Sequence, residues 1–209
     1  IETNTHDVVF QHFRIRPGGT TCNSGLTIWR SNSRNIILDH MSVSWGQDEN
    51  VRFGNNGTGP INATFWRSIT SESLNRPGMW EKGCEGATDE SHGLLIYHQT
   101  KSVSVLQNLF AHNFERNPYA VSDTESYIAN NVMYNFGQSA TLLAHPPGEG
   151  TGLSKMTVIG NYYKRGPSTL STVYATASRY LPVGSQMYRS DLIRDGGAGA
   201  PVDEYQLIN

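Results

Sequence analysis

Few side chains in this 209-residue sequence combine reactive type with suggestive spacing. Asp48 and Glu49 form an adjacent acidic pair, Arg116 opens Arg116-Asn117-Pro118, and His92 opens His92-Gly93-Leu94-Leu95-Ile96. Neighbouring acids are ordinary on a solvated surface. Arginine offers a planar fork of donors that binds a carboxylate through two parallel hydrogen bonds. Histidine near neutrality can serve as hydrogen-bond donor or acid, or can simply hold a turn. Glycoside hydrolysis needs two carboxylates at a defined separation, and no convincing pair stands out beyond Asp48 and Glu49. Cys22 and Cys84 lack the CxxC spacing of a zinc site, which leaves a single disulfide and two buried thiols as equal readings.

The elements that must position these residues show themselves as a repeat. His12, His40, Ser68, Asn108, Asn131 and Asn161 serve as anchors, spaced 28, 28, 40, 23 and 30 residues apart. Three residues before each lie Val9, Ile37, Phe65, Val105, Ile128 and Val158; one residue after lie Phe13, Met41, Ile69, Leu109, Val132 and Tyr162. Both columns are apolar throughout. One short strand pattern per long unit marks a solenoid, in which each coil buries its apolar side against the next. The four-residue offset places both columns on one face of extended chain unless a bend intervenes. The last three anchors are asparagines, which tolerate a left-handed backbone and can hydrogen-bond along a stack, so a ladder at a turn is expected. A β-sandwich would show tight hairpins at shorter spacing, and the leucine-rich repeat pattern is absent. The expected fold is all-β, a right-handed parallel β-helix, since parallel crossovers are overwhelmingly right-handed.

Composition agrees. Charged residues are 16% and hydrophobic residues 37%, and no apolar run approaches the ~20 residues of a membrane helix. Net charge is -2, from 16 basic and 18 acidic side chains, without the basic excess of a nucleic-acid binder. A local basic groove would still suit an acidic partner. The whole of 1–209 reads as one domain, with 165–209 as an irregular C-terminal segment packed on the helix. The start directly on a coil, without a cap, leads us to expect a trimmed form of a longer chain. The interval from Ser68 to Asn108 holds an insertion with Asn75-Arg76-Pro77-Gly78 and Gly83-Cys84-Glu85-Gly86, and long loops on a rigid scaffold usually carry function.

Three segments resemble the pectate lyase family. Asp39-His40-Met41-Ser42-Val43-Ser44-Trp45-Gly46-Gln47-Asp48-Glu49 is similar to its DHxSxSWGxDE pattern, Asn108-Leu109-Phe110-Ala111-His112-Asn113 with Arg116-Asn117-Pro118 to its hNlfaHN…RNP stretch, and Asn130-Asn131-Val132-Met133-Tyr134-Asn135 to the next coil. The likeness runs from about Asp7 to Lys164. It implies a secreted, calcium-dependent polysaccharide lyase on a parallel β-helix, acting on galacturonan, an acidic polysaccharide, by β-elimination. By that resemblance Arg116 is the catalytic arginine, Asp48 and Glu49 hold Ca2+, and His92 stands where the family commonly has a substrate-contacting lysine. Arg67 and Tyr119 are further candidates for the substrate. Arg76 could also face an acidic sugar chain, and Trp45, Trp66 and Trp80 could stack on sugar rings, with a core or turn role the plainer reading of Trp45 and Trp66.

The sequence also departs from the family. Val121 stands where a second arginine often follows, Arg52 where a further acid often lies, and Asn23-Ser24-Gly25 where another acidic pair is usual. Fewer protein ligands for calcium, or an ion held only with substrate, follow from those changes. Two competing readings remain at this stage: a phage tailspike-type capsule depolymerase, which would be a trimer, and a non-catalytic carbohydrate-binding β-helix. A monomer is expected for the lyase.

Overall fold

The computed structural model describes residues 1, 4–17, 24–29, 32–54, 59–75, 91–146, 152–171, 173–195 and 204–207. All regular elements among them are strands, in three sheets visited in turn. The first sheet contains His6–Gln11, Arg34–Asp39, Ile61–Trp66, Lys101–Leu106, Glu125–Ala129, Lys155–Ile159 and Gln186–Ser190, all parallel, closed by Glu204–Leu207 running antiparallel. The second contains Arg14–Ile15, Ser42–Ser44, Ile69–Ser71, Leu109–Ala111, Val132–Tyr134, Tyr162–Lys164 and Ile193–Asp195. The third contains Leu26–Ile28, Glu49–Phe53, His92–Ile96, Tyr119–Ala120, Thr141–Ala144 and Thr176–Arg179. Each strand pairs in parallel with its equivalents one coil away, which is a parallel β-helix. Within 165–209, expected to be irregular, Thr176–Arg179 completes the coil begun at Lys155–Ile159, and Gln186–Ser190 and Ile193–Asp195 begin another. Among the described residues no helix is long and apolar enough to cross a membrane.

The core is three inward columns, one per sheet. In the first sheet Phe10, Leu38, Phe65, Val105, Ile128 and Val158 stand in register. In the second they are Val43, Thr70, Phe110, Met133 and Tyr163. In the third they are Ile28, Phe53, Ile96, Ala120 and Leu143. Apart from the half-buried Phe10, all are essentially inaccessible to solvent. Each large apolar side chain so buried contributes about 1.5–3 kcal/mol.

The register corrects the repeat read from sequence in two places. Val9 and Ile37 point outward, 57% and 38% exposed, and Phe10 and Leu38 take the inward positions. A slip of one residue exchanges the two faces of a strand. The true equivalents of Ser68 and Asn108 are therefore Phe13 and Met41, one residue beyond His12 and His40. The second column also faces out: Ile69, Leu109 and Val132 are exposed, because a bend separates the two columns. His12, His40, Arg67, Gln107, Asn130 and Gly160 all have φ between 46° and 63°. This left-handed residue turns the chain from first sheet to second and breaks the strand alternation.

Just past that turn lies the expected ladder. The Asn108 side-chain oxygen accepts from the Ser68 amide at 2.8 Å, Asn131 from the Asn108 amide at 2.9 Å, and Asn161 from the Asn131 amide at 2.9 Å. The side-chain amides of Asn108, Asn131 and Asn161 donate to the carbonyl oxygens of Phe65, Val105 and Ile128 one coil back. The three buried asparagines are thereby bonded through both side-chain atoms to neighbouring coils.

Candidate functional site

The opposite arrangement holds where the second sheet passes into the third. Here charged residues gather. Glu49 begins a third-sheet strand and is fully buried; it pairs across to His92, which pairs in turn to Glu115. The three thus stand on successive coils. His92 is itself buried, with Nδ1 3.5 Å from Asp48 Oδ1 and Nε2 3.3 Å from Glu115 Oε1. Its ring is held between two carboxylates.

Arg116 reaches back across this column. Its guanidinium donates to Glu49 Oε1, lies 3.9 Å from Asp48 Oδ1, and brings Nε within 3.6 Å of Glu115 Oε1. It also lies 5.7 Å from the centre of the buried Tyr119 ring. Arg52 approaches from the other side, 3.6 Å from Asp48 Oδ2 and 3.8 Å from Glu49 Oε2, stacked at 4.8 Å over Tyr97. Ser24 donates to Glu49 Oε2 at 2.9 Å.

Local sequence explains the geometry. The backbone of Arg116 is left-handed, φ 59°, so the chain turns sharply there. The Arg116 carbonyl accepts from Leu94 N at 2.6 Å, and that of Glu115 accepts from Gly93 N at 3.0 Å. A Cβ on Gly93 would collide with Asn117 Oδ1 and come within 2.7 Å of the Arg116 carbonyl oxygen, so only glycine allows this approach. Gly46 is needed likewise, because a Cβ there would run into the Glu49 carbonyl. Beneath the charges Asn50, Asn113 and Asn117 are buried and linked: Asn50 Nδ2 donates to Asn113 Oδ1 at 3.1 Å, and Asn113 Nδ2 to Asn117 Oδ1 at 3.0 Å. Asn50 follows Glu49 and Asn117 follows Arg116, so the network fixes both backbones.

The electrostatics divide the acids. Burial pushes Glu49 above its ordinary range, and the charge of Asp48 pushes the same way, against Arg116 and Arg52. Burial works against Asp48 too, yet hydrogen bonds from His92 and Glu49 and the Arg116 charge bring it down to about 2. Glu115 is also held low against its burial, by the His92 hydrogen bond and by the charges of His92, Arg116 and, further off, Arg179.

The structure therefore brings together Arg116, Asp48, Glu49, His92 and Tyr119. Arg67 lies elsewhere, at the turn between first and second sheets, 4.2 Å over Trp66 and bonded through Nε to Gln107 at 3.2 Å. Arg76, Trp80, Cys22 and Cys84 lie outside the described residues. Sequence reasoning missed Glu115 and the asparagine network, and noted Arg52 only as an absent acid. Glu115, directly before the Arg-Asn-Pro segment, is the signal that could have been read.

The donor set can be tested against calcium, a hard cation that takes 6–8 oxygen ligands. Asp48, Glu49 and His92 offer ligand atoms within 4.8 Å of one another. Glu49 already serves Arg116 and Ser24, and His92 offers nitrogen. Asp48 and Glu115 are about a quarter exposed each, and both are already in ion-pair reach of His92 and Arg116, Asp48 of Arg52 as well. This set suits an ion that receives its remaining ligands from a bound carboxylate and water.

Similarity to known proteins is consistent with the motifs. A protein named probable pectate lyase C from Aspergillus flavus is 32% identical over 198 residues, covering 93% of this chain and 41% of that protein. Its counterpart in Aspergillus fumigatus is 34% identical over 174 residues, 82% of this chain and 36% of that protein. The chain thus spans about two fifths of the length of the curated relatives it matches. No family model matches. Among solved structures, pectate lyase R236F from Xanthomonas campestris covers 98% of this chain at 15% identity and a TM-score of 0.47, too loose a superposition to add to the strand order above. The resemblance to the pectate lyase family holds over most of the chain.

Proposed function

We infer that this chain, related over most of its length to proteins named pectate lyase, carries the active corner of a secreted lyase that cleaves galacturonan by calcium-assisted β-elimination. One observation carries the reading. Arg116 and Glu49, 67 residues apart, meet in a charge pair with Asp48 beside them, and about a quarter of the Arg116 and Asp48 side chains stays exposed.

In β-elimination the C5–H bond of a uronate breaks, its electrons form the C4=C5 double bond, and the C4–O bond opens toward the leaving sugar. The obstacle is the weak acidity of a proton beside a carboxylate. Asp48 and Glu115 are the residues that would hold calcium, and the ion would supply a Lewis acid for the charge that grows on the substrate carboxylate. Arg116 takes the role of the base at C5 in this reading. Its present neighbours are carboxylates, which favour the charged guanidinium. To take the C5 proton the guanidinium must first give one up to solvent, and the leaving oxygen takes its proton from water. Glu49 orients the guanidinium, and His92 stands between Asp48 and Glu115. Tyr119, nearly buried next to Arg116, supports the guanidinium more than it offers itself to solvent.

The test is ultraviolet absorbance of the unsaturated product from polygalacturonate, with calcium and with chelator. Product that appears with calcium and vanishes with chelator is expected. No product at saturating calcium overturns the reading.

A further inference from the structure

The outer face of the third sheet carries a second arginine that the motifs do not foretell. Val121, where the family resemblance led us to look for it, is buried against Leu95, Tyr119, Leu142 and Ala144. Arg179 ends the strand Thr176–Arg179, level with Ala144, on the same face and two coils from the strand that follows Arg116. It is exposed. Its guanidinium does not point away along the strand direction. Nη2 lies 3.4 Å from Ser139 Oγ, and Ser139 precedes Ala140, whose carbonyl accepts from the Asn117 amide at 2.6 Å. The charge therefore folds back by one coil, to a level about one coil, ~4.8 Å, beyond Arg116 along the rod. Arg52, Arg116 and Arg179 then stand on successive parts of one face. Arg52 and Arg116 are committed to carboxylates of the chain; Arg179, among the described residues, meets only a hydroxyl.

We propose that Arg179 is a substrate-positioning residue, binding the carboxylate of a uronate next along the polymer from the one at Arg116. This rests on the lyase reading above. An anionic chain laid along the rod, across the strands, would present successive carboxylates at intervals near the coil spacing. An exposed guanidinium one coil beyond Arg116 can take the next one through its bidentate fork. That its charge already reaches Glu115 agrees with this placement.

The test compares Arg179→Gln and Arg179→Lys with the unaltered protein on polygalacturonate. For Arg179→Gln the KM rises about tenfold, the weight of one charge-assisted contact, with kcat nearly unchanged. Arg179→Lys recovers part of the loss, and the melting temperature does not move. An unchanged KM overturns the proposal while leaving the lyase reading intact. If the unaltered protein shows no lyase activity, that reading falls, and calorimetric binding of trigalacturonate decides Arg179 separately. About tenfold weaker binding by Arg179→Gln supports it; equal binding, or none by the unaltered protein, overturns it.

Discussion

The two polar corners of the coil solve the same problem differently. Between first and second sheets, Asn108, Asn131 and Asn161 repeat one residue in one geometry, each satisfying its neighbour. Between second and third sheets, Glu49, His92 and Glu115 occupy equivalent stacked positions with different residues, and their partners Arg116 and Arg52 arrive from elsewhere on the coils. A repeated neutral ladder is complete within itself. A mixed charged column is not, and it leaves Asp48 and Glu115 about a quarter exposed. Both corners hold coils together, and the second is the one proposed to do chemistry.

The strongest way to break this comparison is to remove Arg116. Arg116→Ala should reduce kcat/KM on polygalacturonate by at least about a hundredfold. It should also lower stability by about 3 kcal/mol, because Glu49 is left buried without its partner. Arg116→Ala with Glu49→Gln should restore much of the melting temperature and none of the activity. If the single variant melts like the unaltered protein, the buried pair has been misjudged.

Next in size is the ladder. Asn131→Ala removes bonds to both neighbouring coils and should cost about 2–3 kcal/mol in chemical denaturation. The activity of the folded fraction should stay as it was. A fall in kcat would show that the two corners are coupled. Gly93→Ala probes the junction itself. It should lower the melting point by about 1–3 kcal/mol equivalent and depress kcat through displacement of Arg116.

The smallest effect is pH-dependent. Asp48 is held at about 2, below its ordinary 3.8, so its contribution to stability is present above about pH 4 and disappears as pH falls toward 2. Glu49, raised by burial, has the opposite sign: its contribution is present below its ordinary value and is lost as pH climbs through the higher folded one. Acid titration of the melting temperature should therefore show a limb between pH 4 and 2 that Asp48→Asn flattens, while Asn131→Ala shifts the whole curve without changing its shape.

How much of this was legible follows from what each feature depends on. Phe65, Val105, Ile128 and Val158 were readable as a core column because strand alternation is local. Val9 and Ile37 misled because the left-handed residues His12 and His40 are polar like the ladder residues, and the anchors slipped onto them. The Asn108–Asn131–Asn161 stack was legible because one residue type repeats. Arg116, Asp48 and Glu49 were legible through motif resemblance, and the structure brings them into contact. Glu115, Arg52 and Arg179 were not, since their relation to the others exists only across coils and through side chains that fold back. Arg67 was chosen by charge alone, and charge does not say which corner a residue turns.

The final strand has a consequence of its own. The segment Glu204–Leu207 runs against the direction of Gln186–Ser190. A strand of reversed direction cannot hand the parallel register on to a next coil, so among the described residues the winding of the first sheet stops at Gln186–Ser190.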